Sequence, residues 1–208
     1  MPLAVSSPSP TLDLATLGDA RGFLQAYAEQ FQTLCQQTAA WIGDLAVVRD
    51  LLMEASQRGK KTLVVGNGGS AAIASHVAVD LTKNAKIRAI NFNEADLITC
   101  FANDYGYEQW MAQAVAAYGE PGDVLIAVSS SGCSKNILNA CRAAARLEIP
   151  VVTFSGFAPD NPLRQLGRHN FWVESRAYNL IEMVHQFWLL ALVDLIIGRA
   201  EYPASPPA

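Results

Sequence analysis

Two histidine–carboxylate pairs stand at helical spacing in this sequence. His76 and Asp80 lie at i, i+4, and Glu182 and His185 at i, i+3. On a helix, each pair would share one face. A histidine beside a carboxylate can do general acid–base work, and two such pairs from two helices could form a site for zinc or another divalent metal. On spacing alone, satisfied polar groups at a subunit interface are the simpler account.

Two loops add a different chemistry. In "TLVVGNGGSAAIASHVAVDL", Thr62 to Leu81, an apolar strand runs into the glycine-rich turn "GNGGS" and then into a helix. That order sets bare backbone N–H groups and the positive end of a helix dipole at the carboxyl edge of a sheet. Gly68 and Gly69 would let a ligand approach closely, and Ser70 adds a hydroxyl. A tight strand-to-helix turn also needs glycine for conformational reasons alone. The turn lacks the lysine of a nucleoside-triphosphate loop and is not a dinucleotide fingerprint. The second loop, "AVSSSGCSKN", again follows a strand and opens a helix, and it sets Ser129, Ser130, Ser131 and Ser134 around Gly132. Four hydroxyls with helix N-terminal amides make a donor-rich cup for phosphate; the plainer reading is a serine-rich turn capped by Ser134. Two such loops on one parallel sheet imply a crevice at the strand ends, where open α/β sheets bind ligands.

The elements that must position these residues follow from periodicity. From about Ala20 to Arg58, apolar residues at helical spacing predict two helices or one bent helix, closed by Gly59. From Lys61 the rhythm becomes strand, loop, helix, repeated. "TLVVG", "IRAINF", "DVLIAVS", "PVVTFSG" and "NFWVES" read as strands. Ala72–Thr82, segments around Ala95–Phe101 and Tyr107–Ala117, and Lys135–Leu147 read as helices, and a last helix runs from about Asn179 to Ile197. Short apolar strands alternating with helices predict a parallel sheet covered on both faces. The last helix is apolar almost all round and must be buried on all sides, which a second subunit would achieve.

Composition sets outer bounds. At 208 residues and 51% hydrophobic, the chain suits one compact domain. A net charge of −4, without a run of like charges, gives no sign of a nucleic-acid partner or a membrane surface. Cys35, Cys100, Cys133 and Cys141 show no metal-ligand spacing and read as reduced thiols of a soluble, cytoplasmic protein. Residues 1–18 and 201–208 read as tails around a domain spanning 19–200; the first tail is expected to be disordered, and the second is too rich in proline to extend a helix. The longest apolar run, Phe187 to Val193, falls short of the ~20 residues that span a bilayer.

Together, "VVGNGGSAA" and "VLIAVSSSGCSKN", with "ITCFANDYGYEQW" between them and "VVTFSGF" after, resemble the sugar isomerase (SIS) domain. Within it, the likeness is to the phosphoheptose isomerases, which interconvert sedoheptulose 7-phosphate and a manno-heptose 7-phosphate. The resemblance implies a three-layer α/β/α fold of the flavodoxin or Rossmann type, with about five parallel strands and a long N-terminal helical segment. It also implies a homodimer or homotetramer acting on a sugar phosphate. The serine loop would hold the phosphate, and "GNGGS" would line the sugar crevice and contribute Asn67. The implied substrate-binding set is Asn67, Gly68, Ser70, Glu94, Ser129, Ser130, Ser131, Ser134 and Asn179.

The same resemblance implies catalysis by Asp80 and His185, and a metal on His76, Asp80, Glu182 and His185. An enediol route needs a base to move a proton between adjacent carbons and an acid or metal to polarise the carbonyl. Here the chain departs from the family pattern. Asp80 stands where the family has a glutamate, Glu182 where it has a glutamine, Leu190 where it has a second histidine, and Asn179 where it has an aspartate. A non-catalytic relative, the initiator-associating SIS protein of bacterial replication control, shows a similar loss of that histidine. Two readings follow: an aldose–ketose isomerase of the phosphoheptose type, or a phosphosugar-binding or partner-associating protein without turnover. Aminosugar-phosphate processing is a weaker third, since no glutaminase or DNA-binding segment is attached.

Overall fold

The computed structural model describes residues 12–203. The elements run α1 (Leu14–Leu17), α2 (Ala20–Gln36), α3 (Ile42–Gln57), β1 (Thr62–Val65), α4 (Gly69–Lys83), β2 (Ala89–Ile90), α5 (Ala95–Tyr105), α6 (Trp110–Tyr118), β3 (Val124–Ser129), α7 (Lys135–Arg146), β4 (Val151–Ser155), β5 (His169–Trp172) and α8 (Tyr178–Ile197). The predicted three-layer α/β/α fold is present.

The five strands are all parallel, in the order β2-β1-β3-β4-β5. Two core layers flank them because successive strand side chains point to opposite faces. Val64, Ile126, Val152 and Phe154 pack against α3, α4 and α8, while Leu63, Val65, Leu125 and Ala127 pack against α6 and α7. Their complete burial on both faces explains why β1, β3 and β4 read as unbroken apolar runs. The chain leaves β1 toward one sheet edge and β3 toward the other. The reversal falls between β1 and β3, whose following loops are the glycine turn and the serine loop.

Several boundaries differ from the sequence reading. The long N-terminal segment is two helices, because a 3-10 turn over Gln37–Ala40 separates α2 from α3. "IRAINF" contributes only the pair Ala89–Ile90 to the sheet. The Asn91 side chain accepts from Asn93 N–H at 2.9 Å, and Asn93 then donates to Ala71 O and Ser75 Oγ, so the chain turns away from the edge. The expected N-terminal tail overlaps a short helix: Asp13 caps α1 through Ala15 N–H at 2.9 Å. The remainder of that tail, and the second tail beyond residue 203, lie outside the described residues.

Helix α8 is long and apolar enough to cross a bilayer by length and composition, more so than its apolar run suggests, with 44% of its most apolar window buried. That burial lies in the domain core. Leu180, Ile181, Val184, Trp188, Leu189, Leu192 and Val193 join the layer beneath the sheet, and Trp188 Nε1–H donates to Thr38 Oγ1 at 2.7 Å. Burial on all sides is not met within one chain: Met183, Phe187 and Leu195 face outward.

Candidate functional site

The two loops meet at the reversal point of the sheet. Asn67, from the glycine turn, and Asn136, in the first turn of α7, exchange two side-chain hydrogen bonds: Asn67 Nδ2 to Asn136 Oδ1 at 2.9 Å and Asn136 Nδ2 to Asn67 Oδ1 at 2.8 Å. Above this brace lies a cavity of about 120 Å³ lined by Asn67, Ser70, Ser129, Ser130, Ser131, Ser134, Tyr178 and Glu182. A second hollow of about 260 Å³ shares Asn67 and Ser134 and is walled by Tyr107, Glu108, Lys135 and Asn136. Lys135 Nζ lies 2.8 Å from Glu108 Oε1 at its rim.

The serine loop is held from behind. Gly132 has φ +65°, and a Cβ there would collide with the Asn161 side chain. Asn161 donates to Ser155 Oγ and to the Gly156 and Ala158 carbonyls. Leu163 N–H reaches Gly132 O at 3.0 Å, and Gly156 N–H reaches Ser130 O at 2.9 Å. This bracing by Asn161 was not legible beforehand; its one local signal was an asparagine before proline.

The hydroxyls are largely uncommitted. Ser134 stands at the N-cap of α7, the position the plainer reading gave it, but its side chain makes no cap hydrogen bond. Its only hydroxyl contact is a long one with Ser129 Oγ, 3.5 Å. Ser131 Oγ accepts from Cys133 N–H at 3.2 Å, and Ser130 Oγ is buried without a hydrogen-bond partner. Buried hydroxyls are normally satisfied, so an unpaired one beside a cavity marks a place for a ligand atom.

Glu182 enters the cavity from the first turns of α8. Its carboxylate backs onto Gly69, at the start of α4, where a Cβ would collide with it. Burial pushes this carboxyl above the usual range, while the nearby Ser130 hydroxyl and Ser70 backbone amide favour its ionised form. The N-cap of α4, Gly68, carries no side-chain cap, so Glu182 supplies negative charge to that helix end from another element.

The two histidine–carboxylate pairs do not converge. Three residues fall about 60° short of a full helical turn, and on α8 the boundary between exposed and buried faces runs between Glu182 and His185. His185 is fully buried, donates Nε2–H to Ser155 O at 3.1 Å, and packs beside Phe154 and Trp188. Burial lowers its pKa to about 4. It is a neutral core histidine that does not line the cavity. His76 lies half-exposed on α4, with Nε2 3.3 Å from Asp80 Oδ2, and Gln186 Nε2–H donates to its Nδ1 at 3.2 Å. Asp80 also accepts from Asn84 at 3.1 Å. Neither His76 nor Asp80 lines the cavity. Among the described residues, no three His, Cys, Asp or Glu side chains gather as a metal site needs. The metal set expected from the resemblance therefore does not fit this chain, and Asp80 does not face the place where a substrate would sit. Gln186, the partner of His76, was missed because a glutamine on an apolar helix carries no signal.

Three further expected residues lie outside the cavity lining. Gly68 is exposed at φ +54°, Glu94 stands exposed at the N-cap of α5, and Asn179 is exposed in the first turn of α8.

The SIS domain family model matches residues 26–156. A phosphoheptose isomerase of Helicobacter pylori is 43% identical over 112 residues, covering 51% of this chain and 58% of that protein. One from Akkermansia muciniphila is 30% identical over 171 residues, 79% of this chain and 88% of that protein. Among solved structures, a phosphoheptose isomerase from Francisella tularensis superposes with a TM-score of 0.81 at 28% identity, covering 87% of this chain and 100% of that one. One from Neisseria gonorrhoeae also superposes with a TM-score of 0.81, at 24% identity, and that likeness speaks to the fold.

Proposed function

The chain belongs to the SIS domain family, and from that premise we propose that it is a phosphosugar isomerase, interconverting an aldose and a ketose phosphate such as sedoheptulose 7-phosphate and its aldose partner. The observation that carries this reading is the buried, unpartnered Ser130 hydroxyl in a cavity ringed by Ser129, Ser131 and Ser134 at the N-terminus of α7. A phosphate there would take hydroxyl donors and free helix amides together. Asn67 and Ser70 line the path of the carbon chain away from the phosphate.

Sugar phosphates are intracellular metabolites, so the protein works in the cytoplasm, as a homodimer or homotetramer. The outward Met183, Phe187 and Leu195 of α8 support the assembly. The chemistry rests on side chains of the cavity, since among the described residues no three ligating side chains gather. The test is incubation of the purified protein with sedoheptulose 7-phosphate, followed by NMR. An aldose phosphate appearing at equilibrium is expected, and failure to bind the sugar at all would overturn the reading.

A further inference from the structure

The cavity holds one carboxylate, and neither of the resemblance's catalytic candidates reaches it: Asp80 is tied to His76 and Asn84 along α4, and His185 is sealed in the core. Of the eight residues lining the cavity, only Glu182 and Tyr178 titrate. We propose that Glu182 is the catalytic base of this chain, carrying the proton between the two reacting carbons. The assignment rests on the isomerase reading given above and deepens it.

The arrangement also orients the substrate. Helix α4 presents its positive end to the cavity, but that end already faces the Glu182 carboxylate, packed against Gly69 where no side chain could fit. A phosphate at the same helix end would meet a like charge at short range. The phosphate therefore belongs at the start of α7, among the serines, and the carbon skeleton runs from there toward Glu182. The glycine turn is built to accommodate a carboxylate of its own chain.

The step balances with solvent water as the carrier of the second proton. The Glu182 carboxylate takes the proton from C2 of the aldose, and the C–H electron pair becomes the C1–C2 double bond of an enediol as the C1 carbonyl oxygen takes a proton from water. The carboxylic acid then returns its proton to C1, onto the electron pair of that double bond, while the C2 hydroxyl gives its proton to water and its O–H pair closes the C2 carbonyl, leaving the ketose.

The test uses the full chain, sedoheptulose 7-phosphate and deuterated water, with affinity read by calorimetry and carbon-bound exchange by NMR. Glu182→Gln keeps an oxygen to accept from the Ser70 amide and should fold. It is expected to bind the sugar at least as well as the unaltered protein, with exchange lowered about 100-fold or more. Glu182→Asp should retain partial exchange with a displaced rate–pH profile, which a merely structural role would not produce. Exchange at the original rate in Glu182→Gln would overturn the assignment and leave the isomerase reading intact, as would loss of exchange in Asp80→Asn alone. An unaltered protein that binds the sugar yet never exchanges would overturn both.

Discussion

Asn67 and Asn136 face each other across the reversal point of the sheet and satisfy each other's side-chain amides, at 2.9 and 2.8 Å. The pair fixes the spacing between the glycine turn, which packs against Glu182, and the serine loop. Each amide keeps one N–H and one lone pair free, and the Tyr107 hydroxyl approaches Asn67 Oδ1 at 3.5 Å.

Removing one partner should loosen both loops. Asn136 is buried, so Asn136→Ala leaves the Asn67 amide facing a gap. The expected cost is about 1–3 kcal/mol of stability, with sugar-phosphate affinity falling as well. Thermal melts and calorimetry measure the two; full affinity in a stable variant would show that the brace does not position the site.

Ser130 separates ligand binding from folding. Its Oγ makes no hydrogen bond of normal geometry within the chain and only neighbours the Glu182 carboxyl, so Ser130→Ala should change the melting temperature little. Affinity for a sugar phosphate should drop by the value of one charge-assisted hydrogen bond, about 1.5–3 kcal/mol. Unchanged affinity on calorimetry would remove Ser130 from the phosphate cup.

The fold was legible in the sequence because its strands are buried on both faces and therefore read as apolar runs between helices. The serine loop was legible for a related reason: hydroxyls crowded around a glycine after a strand have few structural uses. The metal set implied by the resemblance is not brought together within one chain, because periodicity says which residues share a face and not which face meets the core. His185 satisfies i, i+3 with Glu182, yet it lies against Phe154 and Trp188. Contacts distant in sequence, such as Asn161 on Gly132 or Glu182 on Gly69, leave no local pattern.

His185 makes a prediction about acid stability. Its folded pKa, about 4, lies below the ordinary 6.5. As pH falls below 6.5 the unfolded chain takes up a proton that the folded chain refuses, so stability declines until pH reaches about 4 and then levels. The full span is worth about 3 kcal/mol. Melting curves from pH 7 to 4 should show this slope, and His185→Gln should flatten it; an identical slope in the variant would mean that other groups carry the acid sensitivity.

The outward face of α8 bears on assembly. Phe187 is 42% exposed and Leu195 45%, and Val79 on the neighbouring α4 is 57% exposed. Apolar side chains of this size on two packed helices favour association. Light scattering at micromolar concentration should give a dimer or tetramer, and Phe187→Glu should shift it toward monomer. A folded monomer of the unaltered chain would refute the assembly.

Metal dependence is the sharpest point at which this chain and its family resemblance part. Zinc in a protein site takes four ligands, or three and a water. Here the seam between α4 and α8 offers His76 and Asp80, already bonded to each other and to Gln186. Glu182 is turned into the cavity against Gly69, His185 is committed to Ser155 O, and Leu190 has no donor. Two ligands give weak binding at most. Zinc titration by calorimetry should therefore show no stoichiometric site of submicromolar affinity, and any isomerase activity should survive prolonged treatment with chelator. One zinc per chain, bound tightly and lost together with activity on chelation, would show that the donors rearrange or that a neighbouring subunit completes the site. The proton-transfer role assigned to Glu182 would then have to be reconsidered with the metal in place.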